Sequence, residues 1–376
     1  MKITKMNNIS FKRIYYCTDM HVHDKDIDVK TPAKSIDTTK FLKEYQADSD
    51  TFVLKQIIPS SADCLLSQDG KPLADEIAGN SKILKTYENT PVRDFLAVCQ
   101  PKTGNVENIR QLIDENPDKF VGLKFHPNMS ELPAESELYD DYLSFAKEKK
   151  LPCLFHSDRS FDKVYRGAKG EKYPVYKSLF SRPDQIYSLA KRHPEVPVVM
   201  AHCGGPEKED INACVDIVLE SIKKNNAKLY VDISWVGIDD YKNDARHMEK
   251  LVEIIKKLKN SSKGDMTERI LFGTDIPIAR YNGAEGTKIY GDYIKDISKA
   301  IKKEFPSEAE ELTEKIFYKN AQDLFFDKNW AKETKKALKM SMPKMAFMGA
   351  CVAAIGFFGY KLLTLNKNQN NTQKNN

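Results

Sequence analysis

Short runs of apolar residues, rich in β-branched and aromatic side chains, recur eight times between residues 13 and 272. Runs of this length are typical of buried β-strands. Polar stretches separate them, and several of these place apolar residues at helical spacing and begin with Asp, Asn, Ser or Pro, as helices usually do. The predicted strands are Arg13–Met20, Thr51–Ile58, Arg93–Cys99, Phe120–Phe125, Pro152–Phe155, Val196–Ala201, Leu229–Ile233 and Ile270–Phe272. The predicted helices include Asn105–Asn116, Ser136–Lys149, Pro183–Arg192, Ile211–Asn225 and Asp244–Lys259.

The alternation of strands and helices predicts a parallel sheet with right-handed crossovers. The chain has 376 residues, of which 41% are hydrophobic, so either one large barrel or two smaller domains would fit its length. Eight strand–helix units favour a (β/α)₈ barrel, because an open doubly wound sheet of eight parallel strands without an antiparallel edge is less usual. We therefore predict an α/β chain with a TIM-like barrel over residues 1–328.

Charge and cysteine usage exclude several classes of protein. The net charge is +5, from 59 basic and 54 acidic residues spread along the chain, and no basic stripe indicates a nucleic-acid binder. The seven cysteines form no Cys-x-x-Cys pair, and Cys17, Cys99 and Cys153 lie inside apolar runs, as buried thiols do. The first residues lack the apolar core of a signal peptide. A cytoplasmic catalytic domain is therefore expected.

The C-terminal part of the chain has a different composition. Residues 345–365, MAFMGACVAAIGFFGYKLLTL, follow a lysine-rich linker at 329–344 and precede a polar tail at 366–376, which we expect to be disordered. As a helix the apolar segment would extend ~31 Å, close to the ~30 Å hydrocarbon core of a bilayer. Lys361 interrupts it but lies near its end, where a lysine can reach the interface. We expect a membrane anchor; the alternative is a terminal helix packed on the barrel or on a second subunit.

Two histidines stand one residue apart in the stretch CTDMHVHD, directly after the first apolar run. His21 and His23 would point to the same side of a strand, close enough to bind one ion between them. Two surface histidines in a loop, or a chance match to a short motif, are the alternatives.

Further polar residues close other predicted strands. In a parallel barrel the C-terminal ends of all strands open on one face, so residues at these ends converge even when they are distant in sequence. Five of the seven histidines lie there, together with one lysine and one aspartate. Imidazole nitrogens with one carboxylate are the usual ligands of a catalytic zinc-type site, so a divalent metal site is predicted. The residues are His21 and His23 after the first strand, Lys124 and His126 at the fourth, His156 at the fifth, His202 at the sixth and Asp275 at the eighth.

These residues, with GLKFHP around Lys124, GTDIP around Asp275 and NAQDLF at 320–325, resemble the amidohydrolase superfamily, in particular its amidohydrolase-related branch of metal-dependent barrel hydrolases and decarboxylases. The resemblance covers residues 13–326. It implies that His21, His23, His156 and Asp275 bind the metal. Asp275 would then touch both the metal and its water, which places it well to take a proton from the water and deliver it to the leaving group. The resemblance also implies that His202 either binds a second metal or acts on the substrate carbonyl.

Three further residues are candidates for substrate contacts. Some branches of the superfamily have a fourth-strand lysine, at the position of Lys124, that becomes carboxylated and bridges two metals, whereas the branch with K-x-H-P generally resembles one-metal enzymes. Lys124 can instead bind an anionic substrate or extend to solvent at the strand end. His126 is expected to line the pocket rather than bind metal. Arg159 can pair with a substrate carboxylate, although a loop arginine is equally often a salt-bridge partner.

The leading prediction is a metal-dependent hydrolase that cleaves a C–N or C–O bond in an amide, cyclic amide or lactone. The alternatives are a non-oxidative decarboxylase of an aromatic or unsaturated acid, and an inactive barrel that serves as a binding or scaffold protein. One divalent ion is expected, with Zn²⁺ favoured over Mn²⁺, Co²⁺ or Fe²⁺, and a second ion held by Lys124 and His202 is less favoured. The expected partner is a small molecule that carries a carboxylate, not a nucleic acid, and the oligomeric state is left open.

Overall fold

Eight parallel strands form one sheet in which each strand pairs with the next along the chain. All eight lie where the apolar runs predict them. The computed structural model describes residues 13–24, 52–65, 67–68, 71–157, 165–166, 172–173, 180–205, 208–234, 236, 246–276, 290–328 and 330–331. The strands, called first to eighth below, are Tyr15–His23, Phe52–Ser60, Phe95–Val98, Phe120–Phe125, Cys153–Phe155, Pro197–Met200, Lys228–Asp232 and Ile270–Leu271. Two short antiparallel pairs lie outside this sheet, Ser67–Gln68 with Lys71–Pro72 and Tyr165–Arg166 with Lys172–Tyr173.

Helices follow the strands and cover the outside of the sheet. The helix Val106–Glu115 shows why they form: the Asn105 side chain caps its first turn, and Ile109, Leu112 and Ile113 make one buried stripe. The other α-helices are Glu76–Thr86, Pro127–Ser130, Asp140–Lys149, Pro183–Arg192, Lys208–Lys224, Arg246–Lys259, Lys295–Glu304 and Ala309–Glu314. Short 3₁₀ turns are Ala62–Cys64, Glu137–Tyr139, Ala201–Gly204 and Thr267–Arg269, and wider π-type turns are Tyr290–Ile294, Lys315–Lys319 and Gln322–Phe326.

The core lies inside the sheet and between the sheet and the helices. Strands such as Phe95–Val98 and Cys153–Phe155 are buried at every position, which explains why they appear as continuous apolar runs rather than as alternating ones. Phe125 and Phe155, on neighbouring strands, stack with their ring centroids 4.6 Å apart. The cysteines of the described residues form no disulfide and are buried, as the apolar surroundings of three of them predict.

Hydrogen bonds between the first strand and the residues that follow the eighth strand close the sheet into a barrel, along a junction that we call the seam. The backbone N–H of Met20 donates to the oxygen of Phe272 at 3.2 Å, and that of Asp275 donates to the oxygen of His21 at 2.8 Å. The N–H of His23 donates to the oxygen of Ile276 at 2.8 Å, and Val22 forms a parallel bridge with Ile276. The predicted (β/α)₈ barrel is therefore confirmed.

A buried carboxylate fixes this seam. Asp19, which is fully buried on the first strand, accepts the backbone N–H of Thr274 at 3.0 Å and the Thr274 hydroxyl at 2.5 Å. A glycine precedes Thr274 because the two segments of the chain approach closely here. A Cβ at Gly273 would lie 2.8 Å from the Cβ of His21. The first strand and the start of the eighth-strand loop are thereby held in one register.

The chain divides into two compact units, 1–327 and 328–376. Among the described residues no helix combines the length and the hydropathy needed to cross a bilayer. The predicted membrane segment 345–365, most of the linker 329–344 and the tail 366–376 lie outside the described residues.

We predict that Thr274→Val lowers the free energy of unfolding by about 1.5–3 kcal/mol, because it removes a hydroxyl donor from a buried carboxylate while keeping the side-chain shape. Urea unfolding followed by circular dichroism measures the change. Thr86→Val is the matched control: its hydroxyl bonds to the Lys82 oxygen on an exposed helix surface, so a change within about 0.5 kcal/mol is expected. Equal effects of the two substitutions would contradict the role assigned to the seam.

Candidate metal centre

The structure brings the predicted strand-end residues together at one mouth of the barrel. All of them are nearly inaccessible to solvent except His156, which is partly buried, and Arg159, which lies outside the described residues. His21 and His23 are on the first strand and Asp275 is in the loop that follows the eighth strand, so the barrel seam makes them neighbours.

Three atoms at the seam face a common point. The Nε2 atoms of His21 and His23 lie 3.2 and 3.0 Å from the same carboxylate oxygen, Oδ1 of Asp275. Ligand atoms at zinc-to-nitrogen distances of about 2.0–2.1 Å are about 3.3 Å apart in a tetrahedron, so this spacing fits a bound zinc-sized ion.

The hydrogen bond at Nδ1 of each imidazole determines whether its Nε2, which faces Asp275, carries a proton or a lone pair. His21 Nδ1 lies 3.0 Å from Oδ2 of Asp232, an acceptor that has no proton to give, so Nδ1 carries the proton. The hydroxyl of Ser60 donates to the oxygen of Val22 at 3.3 Å and therefore accepts from His23 Nδ1 at 3.2 Å. Both Nε2 atoms consequently point a lone pair toward Asp275.

This donor set fits a divalent cation. Burial lowers the pKa of His21 and of His23, which favours the neutral imidazole that binds metal. Burial alone would raise the pKa of Asp275, but its interactions with His21, His23 and His202 outweigh this and hold the pKa below its usual range, which favours the ionised carboxylate. Two lone pairs and an anionic oxygen at these distances repel one another, and a cation between them removes that repulsion.

Lys124 approaches the same group from the fourth strand. Its Nζ lies 2.7 Å from His21 Nε2, and the side chain is fully buried. Burial lowers the pKa of this lysine to about 8, although Asp275 and Asp232 oppose the shift. His21 Nε2 has one lone pair, so a hydrogen bond from Lys124 and a bound ion at this atom are alternatives.

Three more histidines form a row beside this group. His202 Nε2 lies 3.2 Å from His156 Nδ1, and the rings of His156 and His126 stack at 3.9 Å. His126 Nδ1 accepts the backbone N–H of Met129 at 3.4 Å, which leaves its Nε2–H as a donor. The structure therefore places His156 and His126 at the mouth, but assigns neither of them to the three-atom group at the seam.

Two of the predicted site residues stand in left-handed backbone conformations. His202 has φ 57° and Asp275 has φ 61°. Such conformations cost non-glycine residues about 1–3 kcal/mol and are concentrated at functional sites. After His202 the positive φ values continue through Cys203, Gly204 and Gly205, and a Cβ at Gly204 would lie 2.8 Å from the Cβ of Cys214.

Sequence reasoning missed the residues that support these histidines. Asp232 closes the seventh strand, Ser234 follows it, Ser60 closes the second strand and Asp19 stands two positions before His21. The signal was present for the two aspartates, because each is a charged residue inside a run that is otherwise apolar. Nothing in the pattern marks the two serines, since short polar side chains are common at strand ends.

Comparison with known proteins identifies a family. The sequence matches the family model described as amidohydrolase over residues 91–326, a range that begins after the first two strands. No curated protein matches the sequence.

Several solved structures share the fold. A probable 2-pyrone-4,6-dicarboxylic acid hydrolase from Acinetobacter baumannii with citric acid bound is 14% identical with a TM-score of 0.51, over 82% of this chain and 98% of that one. 5-Carboxyvanillate decarboxylase from Sphingomonas paucimobilis is 12% identical with a TM-score of 0.51, over 83% and 98%. An amidohydrolase from Burkholderia multivorans with bound zinc is 10% identical with a TM-score of 0.50, over 83% and 99%. Sequence identities this low show a shared fold and nothing more specific.

We predict that the purified protein carries about one divalent ion per chain, because one group of donors at the seam has the spacing and charge for it. Elemental analysis gives the stoichiometry, and chelation should lower the melting temperature in a way that added Zn²⁺, Mn²⁺ or Co²⁺ reverses. A metal-free protein indifferent to these ions would refute the site, and two ions per chain would favour Lys124 as a bridge.

Proposed function

The chain belongs to the amidohydrolase family, and we propose that it is a metal-dependent hydrolase that uses an activated water to cleave a C–N or C–O bond of a small molecule. The proposed substrates are an amide, a cyclic amide or a lactone. One observation carries the proposal: two imidazole lone pairs and one carboxylate oxygen face the same point within 3.0–3.2 Å at the mouth of the barrel.

His21, His23 and Asp275 would hold the ion, and His156 would complete the set as the family resemblance implies. A divalent ion, when bound, lowers the pKa of a water from about 15.7 toward about 7 and so supplies a nucleophile at neutral pH. Zn²⁺ suits neutral imidazoles with one carboxylate, and a related fold contains zinc. Availability in the cell also decides which ion is loaded.

Asp275 is proposed to move the proton. Its Oδ1 faces the two imidazoles, and the ionised carboxylate is a base that can accept a proton from water and deliver it to the leaving group. The left-handed backbone at Asp275 and the hydrogen bond of its N–H to the His21 oxygen fix the direction in which this carboxylate points.

His126 is proposed to contact the substrate, and His202, whose ring nitrogens lie beside Ser234 and His156, is proposed to act near it. Burial lowers the pKa of both, so each is a neutral imidazole with one donor and one acceptor nitrogen. The Nε2–H of His126 suits an anionic substrate oxygen, and we assign Arg159 and Lys124 to the same carboxylate. The names of two solved neighbours, a pyrone dicarboxylic acid hydrolase with citric acid bound and a carboxyvanillate decarboxylase, support a substrate that carries a carboxylate.

Decarboxylation of an aromatic or unsaturated acid is the second candidate, because a decarboxylase shares the fold and nothing in the donor set of this chain separates the two reactions. Turnover of the metal-loaded protein on panels of lactones, amides and aromatic acids separates the two. An inactive scaffold is not favoured, because the seam keeps two neutral imidazoles and an ionised carboxylate in ligand geometry.

We also propose that the chain is organised as a catalytic barrel at 1–328, a lysine-rich linker at 329–344, a membrane-anchoring helix at 345–365 and a polar tail at 366–376. The support is compositional. The apolar segment is long enough to span and lacks a polar stripe, and the lysines before it favour the cytoplasmic side.

Replacing Asp275 with Asn should reduce turnover by at least ~10²-fold, because the amide cannot accept the water's proton and is a weaker ligand. Steady-state kinetics on a substrate that the wild type converts measures the loss. His193→Ala is the control: this histidine pairs with Asp140 at 2.7 Å, just after the helix Pro183–Arg192, and its loss should leave the rate constants nearly unchanged. Near-normal activity of Asp275→Asn would refute its role.

The anchor is tested by fractionating cells that express either the full chain or a version that ends at Lys328. The full chain should stay with membranes after a high-salt wash, because burial of apolar side chains does not weaken with ionic strength, and the shorter version should be released. If both versions are equally soluble, the anchor does not exist.

A further inference from the structure

A second buried aspartate lies behind the group at the seam. Asp232 ends the seventh strand, is fully buried, and approaches the imidazole of His21 from the side opposite to Asp275. Its Oδ2 accepts from His21 Nδ1 at 3.0 Å. Its Oδ1 accepts the backbone N–H of His202 at 3.1 Å and that of Ser234 at 2.9 Å.

The hydroxyl of Ser234 extends this arrangement to two more histidines. It makes a short hydrogen bond to Asp232 Oδ1 and lies 2.9 Å from His202 Nδ1. Since a carboxylate is the stronger acceptor, the hydroxyl proton goes to Asp232, and the Ser234 oxygen accepts the Nδ1–H of His202. His202 Nε2 is then an acceptor for His156 Nδ1 at 3.2 Å, which leaves the Nε2 lone pair of His156 unprotonated.

We propose that Asp232 is the positioning residue of this site: its single carboxylate holds His21 directly, and His202 and His156 through Ser234, in the tautomers that leave their Nε2 atoms as acceptors. In metal sites the hydrogen bond on the outer nitrogen of a histidine commonly fixes its tautomer, and here one aspartate does so for three rings. The inference rests on the proposed metal site, since Nε2 of His21 and of His156 are the atoms that would bind the ion.

Asp232 could instead be a metal ligand itself, because it lies within 4.8 Å of ligand atoms of His21 and His202. The hydrogen bonds of the Asp232 carboxylate argue against a role as a metal ligand. Oδ1 receives three donors, from the His202 and Ser234 backbones and the Ser234 hydroxyl, and Oδ2 receives the His21 N–H. A carboxylate offers about four acceptor positions, so these donors use its capacity.

Asp232→Asn tests the assignment because the protein dictates how the amide must turn. Its carbonyl has to take the Oδ1 position, where two backbone N–H groups point, so its NH₂ faces His21 Nδ1. That nitrogen must then be an acceptor, and the proton of the neutral ring moves to Nε2, where it faces Asp275 and replaces the hydrogen bond from Lys124. The substitution keeps the shape of the side chain and reverses the tautomer.

Metal affinity is measured for the full chain by competition with a chromophoric chelator for Co²⁺ and Zn²⁺. Asp232→Asn should weaken binding at least ~10–100-fold, the usual effect of removing such a partner. Asp140→Asn is the matched control, since it makes the same change in an aspartate that pairs with His193 at 2.7 Å away from the mouth, and it should bind both ions as the wild type does. Unchanged affinity in Asp232→Asn would overturn the proposal.

The tautomers are read in the metal-free wild type by ¹⁵N–¹H correlation of histidine-labelled protein, with the His21 signals identified by their loss in His21→Gln. His21 should carry its proton on Nδ1, and Asp232→Asn should move it to Nε2. Ser234→Ala should leave His21 unchanged and release His202 to populate both tautomers. A wild-type His21 protonated on Nε2 would overturn the inference whether or not the variants fold. A wild type with the expected tautomers that binds no metal would instead refute the proposed function.

Discussion

Closure of the barrel between its first and eighth strands is the interaction on which the site depends. Three backbone hydrogen bonds and a buried aspartate–threonine pair join two segments that are about as far apart in sequence as the barrel allows. The seam places the imidazoles of His21 and His23 within 3.0–3.2 Å of the carboxylate of Asp275. Without it the same residues would be a histidine pair on a sheet edge and an aspartate on a loop.

Protons rather than distances determine what this cluster can bind. An imidazole offers a lone pair on one side only if its other nitrogen has an acceptor, and the structure supplies such acceptors from Asp232 for His21 and from Ser60 for His23. Burial lowers the pKa of both rings and favours the neutral form. The cluster is thus a set of electron pairs around a point, which is an unfavourable arrangement until a cation is present.

The residues that the sequence predicted are those whose position follows from strand periodicity. An apolar run that ends in His or Asp marks the carboxyl end of a barrel strand, and this rule located His21, His202 and Asp275. The supporting residues escaped because their role depends on partners far away in the chain: Asp232 and His21 are separated by 211 positions. Arg159 and the apolar segment 345–365 stay predictions, since they lie outside the described residues.

The place of the seam also sets an order of events during synthesis. The first strand, with both histidines, leaves the ribosome early, whereas Asp275 is added 252 residues after His23. At about 5–20 residues per second this delay is roughly 10–50 s. During that interval the nascent chain carries its histidine ligands but lacks both the Asp275 carboxylate and the barrel closure that brings it to His21 and His23. The complete donor set of the proposed metal site therefore exists only once the barrel has closed.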